Sequence, residues 1–208
     1  MDKSLEAAKI YDLIAEKYSE MFDEELEDKS YLDRFLSFLP KKGKILDLGC
    51  GTGGVTDYYF KKGFKVLGID LSQGMIQVAK KKYPKINFIN EDMRKLRLNE
   101  KFDGISFSYS FFYLETKDTK EVIENAKNML NENGVMMFIL QEGEGEIYFD
   151  ELNIPEMKTY ANLYTKKIME RMLNSLGLKI VYTEKRAPRK GEMPYNKLCI
   201  IAKKDKFL

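Results

Sequence analysis

Apolar side chains recur along this chain with two different spacings, one typical of helices and one typical of buried strands. Between residues 4 and 22 they return every three or four positions, which predicts an amphipathic helix. Residues 30–39 predict a second helix, with Ser30 as its N-cap. From residue 44 onward, short apolar runs alternate with amphipathic segments. The predicted strands are 44–48, 65–70, 86–90, 102–108 and 135–140, and the predicted helices between them are 53–62, 72–82 and 119–131.

A regular alternation of strands and helices predicts right-handed crossovers and a mostly parallel sheet. The end of the chain departs from this rhythm, because a helix at 165–176 is followed by strands at 178–185 and 197–202 that only a loop separates. Such strands pair antiparallel or leave the sheet. We therefore expect a doubly wound, Rossmann-like α/β fold whose seven-stranded sheet ends in a C-terminal antiparallel β-hairpin. Residues 141–160 show no clear period and predict an irregular, variable segment.

Composition adds bounds to this picture. The 208 residues suit one domain, with N-terminal helices at 1–40 and a core at 41–208, and a net charge of +2 gives no field that attracts nucleic acid. The two cysteines, Cys50 and Cys199, lack metal-ligand spacing, and the absence of histidine removes the commonest metal ligand and general base. We expect a cytoplasmic monomer or homodimer with no metal site, no secretory leader and no membrane span.

The stretch from Ile45 to Gly54 carries the strongest chemical signal. A short apolar run ends in Asp47 and then breaks into glycines, which predicts a strand that turns sharply into a helix and lets a ligand approach the backbone. Gly49, Gly51 and Gly54 also satisfy the dinucleotide pattern G-x-G-x-x-G. Asp47 argues against that assignment, because a carboxylate about 4 Å from a phosphate would cost about 4 kcal/mol at an effective dielectric of about 20. The same carboxylate attracts ammonium and sulfonium groups, so the loop favours S-adenosylmethionine (SAM) over NAD or FAD.

Four motifs resemble those of the class I SAM-dependent methyltransferases, and the match covers nearly the whole chain. Residues 47–53 resemble the first motif of that family, 68–75 the second, 90–93 the third and 102–112 the fourth. The helix that contains residues 11–18 is similar to the one that covers the cofactor in many small members. The resemblance implies a small single-domain enzyme of the methyltransferase-domain type, which uses SAM and releases S-adenosylhomocysteine. It also implies that the N-terminal helices form a lid.

The resemblance further implies cofactor contacts at the carboxyl ends of the first strands. Asp47 would favour the ammonium of SAM, Asp70 would accept hydrogen bonds from the ribose, and Asp92 would accept one from the adenine amine. Loop amides, packing side chains and two lid tyrosines would supply the remaining contacts: Gly49, Cys50, Gly51, Leu71, Met75, Met93, Ser108, Tyr11 and Tyr18. Taken singly, most of these residues also have an ordinary explanation as caps, turns or core.

Methyl transfer from a sulfonium is an in-line displacement, in which an enzyme chiefly holds the nucleophile near the methyl group and excludes water. That chemistry is compatible with a chain that lacks histidine. Tyr109, Tyr113 and Glu142 are the polar candidates near the methyl group, and no catalytic residue is assigned.

Segments 1–40 and 141–160 are left for recognition of the acceptor, which favours a small molecule over nucleic acid. An RNA or protein methyltransferase and a non-catalytic SAM-binding protein remain the alternatives.

Overall fold

The computed structural model describes residues 2–23, 26, 28–151, 154–190 and 192–204, and for residues 154–156 it describes the backbone alone. Some positions named in the sequence predictions lie outside the described residues. They are residues 1 and 205–208 at the ends of the predicted domain, residues 24, 25 and 27 of its N-terminal segment, residues 152 and 153 of the variable segment, and Gly191 of the predicted hairpin loop.

Helices and strands follow the predicted order along the described residues, with the addition of two strands between residues 145 and 163 and of a short 3-10 helix. The helices are α1 (Lys3–Phe22), α2 (Lys29–Leu36), α3 (Gly54–Lys61), α4 (Gln73–Lys82), α5 (Thr116–Met129) and α6 (Lys166–Ser175), with a short 3-10 helix at Phe111–Tyr113. The strands are β1 (Lys44–Leu48), β2 (Lys65–Asp70), β3 (Asn87–Asn90), β4 (Phe102–Ser108), β5 (Leu130–Gln141), β6 (Gly145–Glu151), β7 (Ile154–Leu163), β8 (Leu178–Arg186) and β9 (Lys197–Lys204).

Seven of the strands form one sheet in the order β3, β2, β1, β4, β5, β9, β8. The first five of these are mutually parallel, whereas β9 pairs antiparallel with both β5 and β8. This arrangement confirms the predicted mostly parallel, seven-stranded sheet with a C-terminal antiparallel hairpin. Because β1 to β5 run in the same direction, their carboxyl ends lie along one edge of the sheet, where ligands of open α/β sheets bind.

The core lies on both faces of this sheet, and β5 shows why. Its residues Val135 to Leu140 are all buried, and they alternate between two apolar clusters. Met136 and Phe138 belong to the cluster that packs on α5 and α6, and Met137 belongs to the cluster that packs on α2 and α3. A strand that is covered on both faces needs a continuous apolar run, which is the pattern that predicted it.

The segment 141–160 was predicted to be irregular, and this prediction is wrong. Strands β6 and β7 form a separate antiparallel pair there, with Tyr148 opposite Tyr160. On β6, Ile147 and Phe149 pack against the core, whereas Glu146, Tyr148 and Asp150 face solvent. The aromatic Tyr148 thus stands at a solvent-facing position and the acid Glu151 is buried, so residue type obscured the alternation that is typical of a half-buried strand.

The predicted N-caps have different outcomes. Ser72 does cap α4, since its side chain accepts a hydrogen bond from the Met75 amide at 3.1 Å. Ser30 does not cap α2, which begins one residue earlier and follows Asp28. The Asp28 carboxylate makes no capping bond, because it accepts hydrogen bonds from Tyr109 and Arg186 instead.

Candidate functional site

A cavity of about 510 Å³ lies at the carboxyl ends of the parallel strands and is bounded on one side by α1. The residues predicted to hold the cofactor all line it: Tyr11, Tyr18, Asp47, Gly49, Cys50, Gly51, Asp70, Leu71, Met75, Asp92, Met93 and Ser108. Tyr109 and Tyr113, two of the three polar candidates near the methyl group, line it as well. The fold therefore brings into one space residues that the sequence separates widely.

The loop after β1 has the left-handed backbone that its glycines predicted. Gly49 has φ +75° and Gly51 has φ +55°. A Cβ at Gly49 would overlap the side chain of Ser110, so glycine is required there on two grounds. A Cβ at Gly51 would meet no atom within 4 Å, because this residue faces the open cavity. The loop is thus a bare backbone surface on which a ligand can lie.

Asp47 lies at the base of the cavity and is 1% exposed. Its Oδ2 accepts a hydrogen bond from the Thr56 hydroxyl at 2.7 Å, and its Oδ1 has no hydrogen-bond partner. Burial raises the pKa of Asp47 to about 6, although the Thr56 hydrogen bond opposes the rise. A buried carboxylate with an unpaired oxygen is stabilised by a cation, so this residue fits a ligand that carries ammonium or sulfonium charge.

Asp70 ends β2 and holds the loop from the side. Its Oδ2 accepts from the Gly51 amide at 2.8 Å and its Oδ1 accepts from the Ser72 amide at 2.8 Å. Burial raises the pKa of this carboxyl above its ordinary value. Each carboxylate oxygen has a second lone pair, so Asp70 can still accept hydrogen bonds from two neighbouring hydroxyls in the cavity.

Asp92 lines the cavity but is also half of a tight ion pair. The Arg94 guanidinium donates from Nε to Oδ1 at 2.9 Å and from Nη2 to Oδ2 at 2.7 Å. The same guanidinium donates to Asp2 at the start of α1 at 2.7 Å. These bonds place Asp92 firmly, and they also give it a structural role, since they connect the loop after β3 with α1. Its contact with an adenine amine stays a prediction.

Three tyrosines of the cavity pack around one another. The rings of Tyr11 and Tyr18 meet edge to face at 5.8 Å, and those of Tyr11 and Tyr113 at 5.4 Å. The hydroxyls of Tyr11 and Tyr113 share a hydrogen bond, and Tyr11 also donates to Glu151 of β6 at 3.3 Å. Burial raises the pKa of Tyr11 and of Tyr113 well above the usual phenol range. Both phenols therefore stay protonated at neutral pH and act as hydrogen-bond donors.

Helix α1 is fastened to both sides of the cavity. Asp12 accepts hydrogen bonds from the Ser72 hydroxyl at 2.6 Å and from the Gly74 amide at 2.8 Å, which connects α1 with the start of α4. Lys3 pairs with Glu146 of β6 at 2.6 Å. Helix α1 thus lies along the cavity and touches the β6–β7 pair on its other side, and its role as a lid stays a prediction.

The part of the cavity beyond β4 and β5 is lined by charged groups from distant segments. The Tyr109 hydroxyl donates to Asp28, and Arg186 donates to the same carboxylate at 2.7 Å. Arg186 also pairs with Glu192 at 2.7 Å. Lys197 is buried, and its ammonium donates to the carbonyls of Met193 at 3.0 Å and Tyr195 at 2.9 Å. Burial lowers the pKa of this lysine.

Glu142 does not line the cavity. Its carboxylate accepts hydrogen bonds from Asn196 at 3.0 Å and from Lys185 at 3.2 Å, and these bonds hold its pKa below the ordinary value. Within the described ranges, no three Cys, Asp or Glu side chains are grouped so that they could hold a metal ion. No described helix is both long enough and apolar enough to cross a bilayer.

The polar residues around the cavity that were not predicted include Asp12, Asp28, Gln141, Glu151 and Lys197. A signal exists for Gln141, which ends the apolar run of β5 as Asp47 ends that of β1. Lys197 opens an apolar strand, which is an unusual place for a charge. No local signal marks Glu151 or Asp28, because their partners are far away along the chain, Tyr11 in one case and Arg186 in the other.

Comparisons with known proteins agree with this geometry. Residues 45–134 match a family model described as a methyltransferase domain. A Bacillus subtilis protein named as a candidate methyltransferase, YqeM, is 34% identical over 136 residues, which is 61% of this chain and 55% of the relative. The demethylmenaquinone methyltransferase of Paenarthrobacter aurescens is 31% identical over 138 residues, 66% of this chain and 49% of the relative. The chain spans about half the length of these curated relatives.

A solved structure has the same fold. The 1,6-didemethyltoxoflavin-N1-methyltransferase of Burkholderia thailandensis, with 1,6-didemethyltoxoflavin and S-adenosylhomocysteine bound, superposes with a TM-score of 0.75 at 14% identity, over 96% of this chain and 87% of that one. The sheet order, the glycine loop, the family model and these relatives agree with one another and confirm the class that the motifs predicted. Residues 45–134 therefore match the methyltransferase-domain family, and the chain has the fold of the class I SAM-dependent methyltransferases.

Proposed function

We propose that this chain is an enzyme that transfers a methyl group from SAM to a small-molecule acceptor by in-line displacement. The proposal depends chiefly on one observation, the cavity of about 510 Å³ in which the glycine loop, Asp47 and Asp70 meet under α1. Its volume falls in the range of sites that enclose small ligands. A groove that holds a nucleic acid or a peptide would instead have to extend across the surface.

The residues present fit SAM. Asp47 offers an unpaired buried oxygen to the positive charges, the bare backbone at Gly51 admits the methionine part, and Asp70 has lone pairs for the ribose hydroxyls. Leu71 and Met75 supply apolar surface for the adenine ring. When bound, SAM supplies a methyl group that the neighbouring sulfonium activates for attack. The chain itself then has to hold the acceptor, keep water out and provide for the departing proton.

Exclusion of water is the task that α1 suits best. Tyr11 and Tyr18 form part of the cavity wall, and the contacts of Asp12 with Ser72 and Gly74 hold the helix down. Closing a site in this way strengthens every electrostatic interaction within it.

The proton that leaves the acceptor goes to the buried carboxylate of Glu151 rather than to a histidine, through the Tyr11 hydroxyl, which gives its own proton to that carboxylate as it takes up the new one. Tyr113 and Tyr11 are neutral donors, because burial raises their pKa values, and Tyr11 reaches Glu151. A phenolate base is therefore not part of the proposal. An acceptor whose nucleophile is a neutral nitrogen with a free lone pair needs no stronger base.

The names of similar proteins support a small acceptor. One relative is named for demethylmenaquinone, and the superposed structure contains 1,6-didemethyltoxoflavin. Both compounds are small molecules, although neither name identifies the acceptor of this chain.

Calorimetric titration with SAM, S-adenosylhomocysteine and NAD tests the cofactor half of the proposal. We expect both adenosyl compounds to bind and NAD to give no signal. Asp70→Ala should weaken binding, whereas Asp33→Ala, which removes an exposed carboxylate outside the cavity, should not. Binding of NAD without binding of SAM would contradict the proposal.

Incubation with SAM that carries a tritiated methyl group tests the transfer itself. The label should pass to compounds in a low-molecular-mass metabolite extract and not to bulk RNA or protein. Label in RNA or protein would favour a macromolecular acceptor. Full SAM affinity without transfer to any of the three fractions would favour a non-catalytic SAM-binding protein.

A further inference from the structure

The cavity has a second wall that the cofactor does not need. We define the acceptor wall as the lining residues Phe112, Gln141, Met193 and Lys197 together with Tyr109, which follows β4 directly. Gln141 is the last residue of β5 and pairs in register with Lys197, the first residue of β9. Since the carboxylates and glycines predicted to hold the cofactor lie at or just after the ends of β1, β2 and β3, this wall faces the part of the cavity that is left for the acceptor.

The buried and half-buried charges at this wall are already compensated within the protein, and Lys190, which also lines this part of the cavity, is exposed. Asp28 accepts from Arg186 at 2.7 Å and from Tyr109, and Glu192 accepts from Arg186 at 2.7 Å. The Lys197 ammonium donates to two backbone carbonyls and lies 3.5 Å from Glu192. A carboxylate or an ammonium on the acceptor would therefore lose its hydration without gaining an ion pair, because each buried charge here already has a partner.

Gln141 is the exception on this wall. It is 5% exposed, and its Oε1 makes no hydrogen bond. Among the described residues that line the cavity, Asp47 is the other one that has a buried side-chain oxygen without a hydrogen-bond partner. Buried polar atoms are nearly always hydrogen-bonded, so a missing partner calls for a ligand. The last torsion of a glutamine side chain turns over a broad range, which allows the carboxamide to present its oxygen to the cavity.

We infer, on the basis of the proposed function, that the carboxamide of Gln141 recognises the methyl acceptor by a hydrogen bond. The acceptor is an uncharged molecule with a flat apolar part and an N–H or O–H group that donates to Oε1. Phe112 and Tyr109 supply ring surface, Met193 supplies an adaptable apolar contact, and the paired charges behind them disfavour ions. Gln141 is in this sense a specificity residue, and it transfers no proton.

Matched fragments test the inference without knowledge of the natural acceptor. Phenol and anisole differ by replacement of the O–H donor with a methyl ether, while benzoate and benzylamine carry opposite charges. Their affinities would be measured by ligand-observed NMR on the full chain saturated with S-adenosylhomocysteine. We expect phenol to bind about fivefold more tightly than anisole, which corresponds to about 1 kcal/mol for one neutral hydrogen bond, and both ions to bind more weakly than phenol.

Two variants test whether Gln141 causes the preference for phenol over anisole. Gln141→Met keeps the length of the side chain and removes the oxygen, so the preference for phenol should disappear while affinity for S-adenosylhomocysteine is retained. Gln77→Met makes the same change at an exposed position on α4 and should leave the preference intact. If Gln141→Met does not fold, the side-chain amide signal of Gln141 in the ¹⁵N-labelled wild-type protein decides, because phenol should shift it and anisole should not.

The outcomes separate the two proposals. If the wild-type protein fails to bind S-adenosylhomocysteine, the proposed function fails and this inference fails with it. If it binds that compound but prefers benzoate or benzylamine, or if Gln141→Met keeps the preference for phenol, the inference is overturned and the proposed function stands.

Discussion

The two halves of the cavity are built in opposite ways. The cofactor half is assembled from strand ends and the loops directly after them, so that Asp70 accepts from the amides of Gly51 and Ser72. The acceptor half depends on contacts such as that between Asp28 and Arg186, which join opposite ends of the chain. The comparison teaches that local backbone geometry shapes the proposed cofactor half, whereas contacts between distant segments shape the proposed acceptor half. Five predictions test that difference.

The largest effect is expected at the glycine loop. Gly49→Ala should lower the free energy of unfolding by about 3 kcal/mol, because it combines a left-handed backbone with an overlap against Ser110. Gly63→Ala is the matched control, since Gly63 has φ +89° and a Cβ there meets nothing within 4 Å. It should cost about 1 kcal/mol. Equal losses in urea denaturation would show that packing against Ser110 is unimportant.

The acceptor half should show its dependence on packing when Asp28 is replaced. Asp28→Ala leaves Tyr109 without its acceptor and removes one of the carboxylates that compensate the partly buried Arg186, so unfolding should become easier by about 2–3 kcal/mol. Asp33→Ala, which breaks an exposed pair with Lys62, should cost less than about 1 kcal/mol. Affinity for S-adenosylhomocysteine should stay within about twofold of wild type in both variants. A parallel loss of affinity in Asp28→Ala would mean that the two halves are not separate.

Asp70 tests the cofactor half directly. Asp70→Ala should weaken SAM binding by about 1.5–3 kcal/mol, the range of a lost hydrogen bond to a charged group. Asp70→Asn keeps the shape and one acceptor oxygen, so its loss should be smaller. Calorimetry measures both, and circular dichroism verifies that each variant is folded. Wild-type affinity in a folded Asp70→Ala variant would remove Asp70 from the ribose contact.

Asp47 gives the cofactor half a dependence on pH. Burial raises its pKa in the folded protein to about 6, above the ordinary value of 3.8, so the folded state binds more protons than the unfolded state between these values. The stability of the ligand-free protein should therefore fall as pH rises from about 4 to 6. SAM affinity should move the other way and increase about tenfold between pH 5 and 7, because the ionised carboxylate attracts the cation. Asp47→Asn should flatten both profiles, and persistence of either profile would assign it to another group.

The smallest effect is expected where α1 meets β6. Lys3 and Glu146 form an ion pair at 2.6 Å, with 26% and 40% of their side chains exposed. Removal of the pair by Lys3→Met should cost less than about 1 kcal/mol, and the loss should shrink at high salt. A double-mutant cycle with Glu146→Gln isolates the interaction. A coupling of several kcal/mol would make this contact a principal fastening of the lid.

The succession of strands along the chain and the residues of the cofactor half were predictable because the residues that specify them are close together in the sequence. The apolar run of β1, the acid at its end and the glycines that follow all lie within residues 45–54. Such a segment has few alternative conformations, since only glycine adopts positive φ cheaply. The β6–β7 pair was not predictable in this way, because Tyr148 is exposed and Glu151 is buried, so residue type does not show the alternation of Ile147 and Phe149.

The polar residues predicted to lie near the methyl group also show what sequence patterns fail to predict. Tyr109 and Tyr113 line the cavity, whereas Glu142 is turned toward Lys185 and Asn196. Nothing in the residues around Glu142 distinguishes it from Gln141, one position earlier, which does line the cavity. Successive side chains of a strand point to opposite faces, so a prediction that misses by one residue selects the wrong side.

The amino-acid sequence by itself determined the class of fold, the left-handed glycine loop and the carboxylates beside it, because these follow from periodicity and from the backbone preferences of single residues. Only the tertiary structure decided that Tyr11 meets Tyr113 and Glu151, and that the buried charges at the acceptor wall are paired with one another. Contacts of that kind have no local signature. They arise when burial forces polar groups from distant segments to find one another, and Gln141 Oε1 is left without a partner in the protein.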